Sequence, residues 1–326
     1  MHDRELGLFA RTIHASAPAF HGSMSSPCES GSLLSRGSIL RPKLTIITPS
    51  LNHGRFIERT IRSVLDQGYE NLEYIVVDGG STDGSVSVIE RYADRLAWWV
   101  SEPDRGQTHA LNKGLRRATG EWVAYINSDD HYLPGAFDAA ASAFESTGAP
   151  WVVGTCRYVD GEGKLIALWI PELPRGSRHW WMLGPWGVPQ AATFWRRDLI
   201  GRFGPFREDM HYVFDTEYGL RLAFSGVLPV IIDAELATRV IHPEAKSWDL
   251  RPFEREQRRF VDLYARRLKP LEKLALLKTR TLRALGWYRV RALLGRVRRK
   301  LLGDGGGERR GIIKLDEQRG VREVSR

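Results

Sequence analysis

Few cysteines, no long apolar run and no basic excess over the first 250 residues: each of these absences removes a class of protein. The 326 residues include two cysteines, Cys28 and Cys156. They make no metal-ligating spacing, so a disulfide framework is not expected and a reducing compartment fits better. No stretch of about 18 apolar residues occurs, so no transmembrane helix is expected. The N-terminus also lacks the apolar core of roughly 7–15 residues that a signal peptide carries. Together these predict a cytoplasmic protein that can sit at the inner face of the membrane. The formal net charge is +9, yet residues 1–250 hold 25 Lys/Arg against 30 Asp/Glu, a balance of −5. Residues 251–326 hold 23 against 9, a balance of +14. The basicity therefore belongs to the tail alone. No recognised nucleic-acid module accompanies it, so no nucleic-acid partner is expected.

What is present is an ordinary globular composition, 42% hydrophobic and 27% charged, on a chain long enough for a full core. Residues 1–40 are Ser- and Gly-rich without periodicity and are expected to be a disordered N-terminal segment. From Lys43 strands and helices alternate. Leu44–Thr48 reads as a buried strand closed by Pro49. Ile57, Ile61, Val64 and Leu65 form a helical stripe, Leu72–Val77 a second strand, and Val86, Ile89 and Tyr92 mark a helix that Asp83 can cap. Ala97–Val100 reads as a third strand, residues 107–118 as a helix, Trp122–Ile126 as a fourth strand, and Pro134 opens a further helix. This βαβα order predicts an α/β fold with a mostly parallel sheet flanked by helices, its ligand at the carboxyl ends of the strands. Between residues 151 and 240 the strand-like runs Trp151–Tyr158, Leu165–Ile170 and Ala191–Trp195 are short and broken by Gly and Pro, and one helix covers Tyr212–Phe224. This half reads as partly antiparallel and fused to the first without a linker.

Two strands end in acids. Tyr74-Ile75-Val76-Val77 runs into Asp78, and Tyr125-Ile126-Asn127-Ser128 runs into Asp129 and Asp130. Adjacent carboxylates at a buried strand end repel each other unless a proton or a cation lies between them. The usual resident is a hard divalent ion that also holds phosphates. Two acid-tipped strands in one α/β domain point to a nucleotide-diphosphate site.

Five blocks, in order and spacing, resemble the family 2 glycosyltransferases, inverting enzymes of the GT-A fold. They are Ile47-Thr48-Pro49-Ser50-Leu51-Asn52, Val77-Asp78-Gly79-Gly80-Ser81-Thr82-Asp83-Gly84-Ser85, Asn112-Lys113-Gly114, Asn127-Ser128-Asp129-Asp130 and Phe214-Asp215-Thr216-Glu217-Tyr218. The resemblance implies a GT-A domain over residues 41–247; basic charge with helical periodicity then marks a helical extension over 248–302, and the Gly-rich, charged end a flexible tail over 303–326. It implies a nucleotide-sugar donor, UDP-linked, held by Pro49, Asn52, Asp78, Gly79, Asp83, Lys113, Asn127, Ser128 and Asp130. Asp78 would accept from the base, and the Gly79-Gly80 turn lets backbone approach the nucleotide. Asp129 corresponds to the last acid of the DXD motif and would bind Mg²⁺ or Mn²⁺ against the diphosphate, with His242 beside it. Asn127 stands where many relatives carry the first acid, and His109 also replaces an acid. Asp215 corresponds to the catalytic base, and Glu217, two positions on, points elsewhere. The acceptor implied is a saccharide or lipid-linked saccharide in surface polysaccharide synthesis.

Other readings stay open at this point. Asp83 can be a helix cap, and Asp129-Asp130 a plain turn. The Trp180, Trp181 and Trp186 cluster can stack on sugar or fill a core, with Gln190 beside it. Val290, Leu293, Leu294, Val297 and Leu301 make an apolar stripe in the basic tail, which either packs on the domain or lies on anionic lipid. A sugar nucleotidyltransferase would carry a Gly-rich, basic loop after the first strand, which Pro49-Ser50-Leu51-Asn52-His53-Gly54 does not supply. A non-catalytic sugar-nucleotide-binding protein would have no need of both Asp129 and Asp215.

Overall fold

Strand β1 (Leu44–Ser50) is buried along its whole length, as a strand with neighbours on both sides and helices over both faces must be. It does not close at Pro49: Pro49 pairs with Val77 and Ser50 with Asp78 of β2 (Leu72–Asp78). The proline is tolerated because pairing on the other side, with β4 (Trp122–Tyr125), ends at Ile47 opposite Tyr125, so no ladder donor is missed there. The computed structural model describes residues 41–171, 173, 187–246 and 250–284. The N-terminal segment, the Trp180, Trp181 and Trp186 cluster, the Val290–Leu301 stripe and the tail from Gly303 lie outside the described residues.

Strand β3 (Trp98–Ser101) completes a parallel set in the order β3-β2-β1-β4. Helices α1 (Ile57–Leu65), α2 (Ser85–Glu90) and α3 (Gln107–Arg117) lie within its connections. Helix α1 buries Ile57, Thr60, Ile61 and Val64, one stripe at helical spacing. Beyond β4 come β5 (His131–Tyr132), α4 (Ala136–Thr147), β6 (Trp151–Val159), β7 (Leu165–Trp169), β8 (Thr193–Arg196), α5 (Asp198–Phe203), α6 (Phe214–Phe224), β9 (Val230–Val240), α7 (Leu250–Ala265) and α8 (Pro270–Ala284).

Among the described residues all nine strands join one sheet, β3-β2-β1-β4-β8-β6-β9-β5, with β7 on β6. The second half is mixed: β8 is antiparallel to β4 and β6, β9 is parallel to β6, and β5 is antiparallel to β9. Strands β5 and β9 and helix α5 have no counterpart in the sequence periodicity. The outer half of β9 alternates weakly and its inner half carries Ala237, Thr238 and Arg239, so no clear apolar period marks it.

Alternate residues of β1 feed two cores, Ile46 on one face with Ile61, Phe137 and Phe194, and Ile47 on the other with Tyr125, Trp195, Phe206 and Phe214. Phe260, Val261 and Tyr264 of α7 belong to the second core, as do Leu268 and Leu276. This part of the basic extension therefore packs on the domain.

Polar contacts fix α7 in register with α6. Glu217 is 1% exposed and accepts from Arg221 Nε (3.2 Å) and Nη2 (2.5 Å) and from the Tyr264 hydroxyl (2.5 Å). Arg221 Nη1 donates to the carbonyls of Phe203 (2.8 Å) and Pro205 (2.9 Å). Glu256 of α7 accepts the backbone N–H groups of His211 (2.6 Å), Tyr212 and Val213 (2.8 Å), supplying from a neighbouring helix the cap that α6 lacks in its own sequence. On α8 three leucines face outward: Leu271, Leu274 and Leu277 are 80%, 64% and 62% exposed. No helix among the described residues is long and apolar enough to cross a membrane.

Candidate functional site

The carboxyl ends of β1, β2 and β4 meet at one edge of the sheet, and hydrogen bonds tie together the loops leaving them. Asn52 adopts a left-handed backbone (φ 54°), which Asn tolerates better than most residues. This lets its N–H reach Ser81 Oγ (2.7 Å) and its Oδ1 accept from Thr82 N–H (2.9 Å). Asp83 accepts from Gly54 N–H (2.8 Å) and, through its other oxygen, from Ser85 N–H (3.0 Å) and Oγ (2.5 Å). Burial raises its pKa, but these hydrogen bonds outweigh burial and lower it. Asp83 thus joins the β1 loop to the start of α2.

Asp78 is fully buried. Its Oδ2 accepts from Gly80 N–H (3.0 Å), Ser81 N–H (2.8 Å) and Ser101 Oγ (2.7 Å), and its Oδ1 from Ser81 Oγ (2.5 Å). Its carboxylate organises the Gly79-Gly80-Ser81 turn and retains acceptor capacity on Oδ1. A Cβ at Gly79 would lie 2.8 Å from Asp104 Oδ2 and would have to push that side chain aside, while Gly80 (φ 87°) takes a backbone that favours glycine. Pro49 lies in the strand opposite Val77. Lys113 pairs with Glu102 (2.6 Å) just beyond β3, and no described hydrogen bond joins it to the β4 loop.

The loop after β4 carries the other acids. Asp130 is buried. It accepts from Val240 N–H of β9 (3.1 Å) and from Asn127 Nδ2 (3.3 Å), which ties the loop to the far side of the sheet. Burial, and then the charge of Asp129, push its carboxyl well above the ordinary range. Asp129 faces the other way, its Oδ2 3.1 Å from His242 Nε2. His242 is 4% exposed and its Nδ1 has no hydrogen-bond partner. Ser128 Oγ lies 2.7 Å from His53 Nδ1, and the rings of His53, Phe56 and His242 pack together.

Among the described residues no group of three or more His, Cys, Asp or Glu gathers to hold a metal. Asp129 and His242 could supply two donors, which suits a cation whose remaining positions go to phosphate and water. It is His242 Nε2 that faces Asp129, so a cation shared by the two would lie on that side of the ring; Nδ1, on the other side, is buried without a partner.

Asp215 opens α6 and accepts from Thr216 N–H (2.7 Å). Burial raises its pKa, opposed by that N–H and by the charges of Arg239 and Lys246. Lys246 connects this side to the acid loop. Its Nζ donates to Gln107 Oε1 (3.0 Å) and to the His211 carbonyl, while Gln107 Nε2 donates to Asn127 Oδ1 (2.6 Å). It also lies over the rings of Tyr212 (5.0 Å) and Phe214 (5.8 Å). Gln190 donates to the Tyr125 carbonyl at the end of β4 (2.8 Å). Sequence reasoning overlooked His53, Gln107, Asp104 and Glu256. His53 and Gln107 lie where chain leaves or follows a strand's carboxyl end, a position that by itself marks residues worth testing; Glu256 left no local signal.

The family model for Glycosyl transferase family 2 matches residues 45–202. An uncharacterised glycosyltransferase of Mycobacterium tuberculosis is 31% identical over 187 residues, covering 56% of this chain and 69% of that protein. The GalNAc(5)-diNAcBac-PP-undecaprenol beta-1,3-glucosyltransferase of Campylobacter jejuni is 32% identical over 128 residues, covering 38% of this chain and 41% of that protein. Among solved structures, the mannosyltransferase PcManGT of Pyrobaculum calidifontis, in complex with GDP-Man and Mn²⁺, aligns with a TM-score of 0.56 at 21% identity, covering 74% of this chain and 70% of that one. At that identity the likeness is one of fold.

Proposed function

Because the chain belongs to glycosyl transferase family 2, we propose that it transfers a sugar, with inversion, from a nucleoside-diphosphate donor to a saccharide or lipid-linked saccharide of a surface polysaccharide. The observation that carries this reading is the network at the sheet edge: Asp129 with His242, and Asn127 with Gln107 and Lys246, beside Asp215. Donor-side acids and a candidate base are thereby held in one polar frame. The Asp78 turn and the Asn52 loop would receive the nucleoside, with UDP as the expected carrier. Asp129 and His242 would hold Mg²⁺ or Mn²⁺, which when bound offsets charge on the departing diphosphate. Asp215 would take the proton from the acceptor hydroxyl as that oxygen attacks the anomeric carbon from the face opposite the diphosphate. The lipid-linked acceptor is supported by the name of the Campylobacter relative.

Calorimetric titration of UDP and GDP, with and without Mn²⁺, tests the donor side. Wild type should bind UDP more tightly with Mn²⁺ present, and Asp129→Asn should lose most of that gain. Equal UDP affinity in all four combinations of protein and metal would remove the cation from the reading.

Helix α8 bears on where the enzyme works. Leu271, Leu274 and Leu277 form an exposed arc flanked by exposed Lys273 and Lys278, with Arg266, Arg267 and Lys269 just before it. An apolar face bordered by cations suits the surface of an anionic bilayer. Full-length protein should float with phosphatidylglycerol liposomes at low salt, and Leu274→Glu with Leu277→Glu should weaken flotation while leaving UDP binding unchanged. Wild type that ignores such liposomes would leave the helix as packing alone.

A further inference from the structure

The diphosphate of the donor needs hydrogen-bond donors, and most of the obvious ones at this edge are already committed. Gly80 N–H and Ser81 N–H point at Asp78. Lys246 Nζ is divided between Gln107 and the His211 carbonyl, and His242 Nε2 faces Asp129. Asn127 brings an amide where a second carboxylate would hold a cation, so fewer protein charges anchor a metal against the phosphates. His53 offers what is missing. Its backbone is immobilised on both sides: its own N–H donates to Ser85 Oγ (3.0 Å) and the N–H of Gly54 to Asp83 (2.8 Å). Its ring lies edge-on to Phe56 (centroids 5.8 Å apart) and to His242 (6.3 Å).

The tautomer follows from Ser128. The one described hydrogen bond of Ser128 Oγ is to His53 Nδ1, at 2.7 Å. The hydroxyl proton is used only if it donates to Nδ1, which leaves the imidazole proton on Nε2. That nitrogen makes no described hydrogen bond and is not among the buried atoms lacking a partner; it opens to solvent on a ring anchored to the residue beside Asp129.

We propose that His53 is a diphosphate-binding residue, its Nε2–H donating to a phosphate oxygen of the nucleotide donor while Ser128 fixes the ring through Nδ1. The assignment rests on the nucleotide-sugar reading above and adds to it a hydrogen-bond donor from the β1 loop. The two nitrogens can be separated by isosteric replacement. A glutamine side-chain N–H₂ reaches the place of Nε2, whereas an asparagine reaches only that of Nδ1.

The test is calorimetry of UDP and of uridine with Mn²⁺ on wild type, His53→Ala, His53→Asn and His53→Gln, each with its melting temperature. A hydrogen bond to a charged acceptor corresponds to roughly a tenfold to hundredfold effect on affinity. His53→Ala and His53→Asn should therefore weaken UDP by about tenfold or more, leave uridine nearly unchanged, and be rescued by His53→Gln. Normal UDP binding in His53→Asn with loss in His53→Gln would assign the ring to holding Ser128 and overturn the proposal. Equal loss in all three variants at an unchanged melting temperature would assign it to ring packing, and unaltered UDP affinity throughout would overturn it directly. If wild type binds neither UDP nor GDP, the nucleotide-sugar reading itself fails and His53 falls with it.

Discussion

Replacing Asp215 by Asn is expected to lower kcat by about 10²- to 10⁴-fold, the contribution of a positioned general base, and to leave UDP affinity within about twofold. The amide has the carboxylate's shape and can still accept from Thr216 N–H, but it cannot take a proton from the acceptor. The pH profile gives a second signature. Burial raises the Asp215 pKa above the ordinary Asp value of 3.8, against the pull of Thr216, Arg239 and Lys246. A base acts only when ionised, so wild-type activity should begin to fall, as pH drops, at a higher pH than an exposed aspartate would dictate. That acid limb should vanish from the residual rate of Asp215→Asn. Steady-state rates over a pH series check both, and a variant within about tenfold of wild type would place the base elsewhere.

The largest effect on stability is expected at Glu217. Its alanine variant would strand Arg221 and the Tyr264 hydroxyl in the α6–α7 seam, and breaking a buried ion pair by removing one partner costs about 3–5 kcal/mol. For a domain of this size that corresponds to a fall in Tm of roughly 10 °C. Glu217→Gln should fall less, because the amide oxygen can still accept one of the two partners. Thermal melts at fixed pH decide it. A Tm within about 2 °C of wild type for Glu217→Ala would mean that the seam is held by Phe260 and its neighbours alone. Glu217 is therefore no neutral neighbour of Asp215, although both lie in the first turn of one helix.

The parallel half of the fold was legible because β1, β2 and β4 are buried runs separated by helical stripes, and each boundary carried its own chemistry. The acids at the ends of those strands were equally plain. Their division of labour was not. Asp78 and Asp130 accept backbone N–H groups from Gly80, Ser81 and Val240, ties that no local spacing shows, whereas the pairing of Asp129 with His242 followed from the family resemblance. The second half hid more. Strand β9 lacks a clean alternation because its inner end sits under Asp130, where polar and small residues serve better than a valine run. The capping of α6 by Glu256 spans more than forty residues and leaves no trace in local spacing. The tail's charge was visible, but whether it covered a core depended on Phe260, Val261 and Tyr264 meeting α6.

Strand β9 also sets the order in which the protein can be made. It inserts between β6 and β5, so the sheet waits for residues 230–240 to leave the ribosome before two earlier strands gain their shared neighbour. At about 5–20 residues per second, the stretch from Val159 to Val230 takes several seconds to synthesise. Throughout that interval β6 has an open edge, the kind of surface that pairs with other chains. The nascent chain up to residue 202, where the family match ends, lacks the Val240 N–H that anchors Asp130, as well as His242 and Asp215. A chain of that length can therefore build the parallel core, yet gains Asp215, Val240 and His242 only after about 40 further residues have been added.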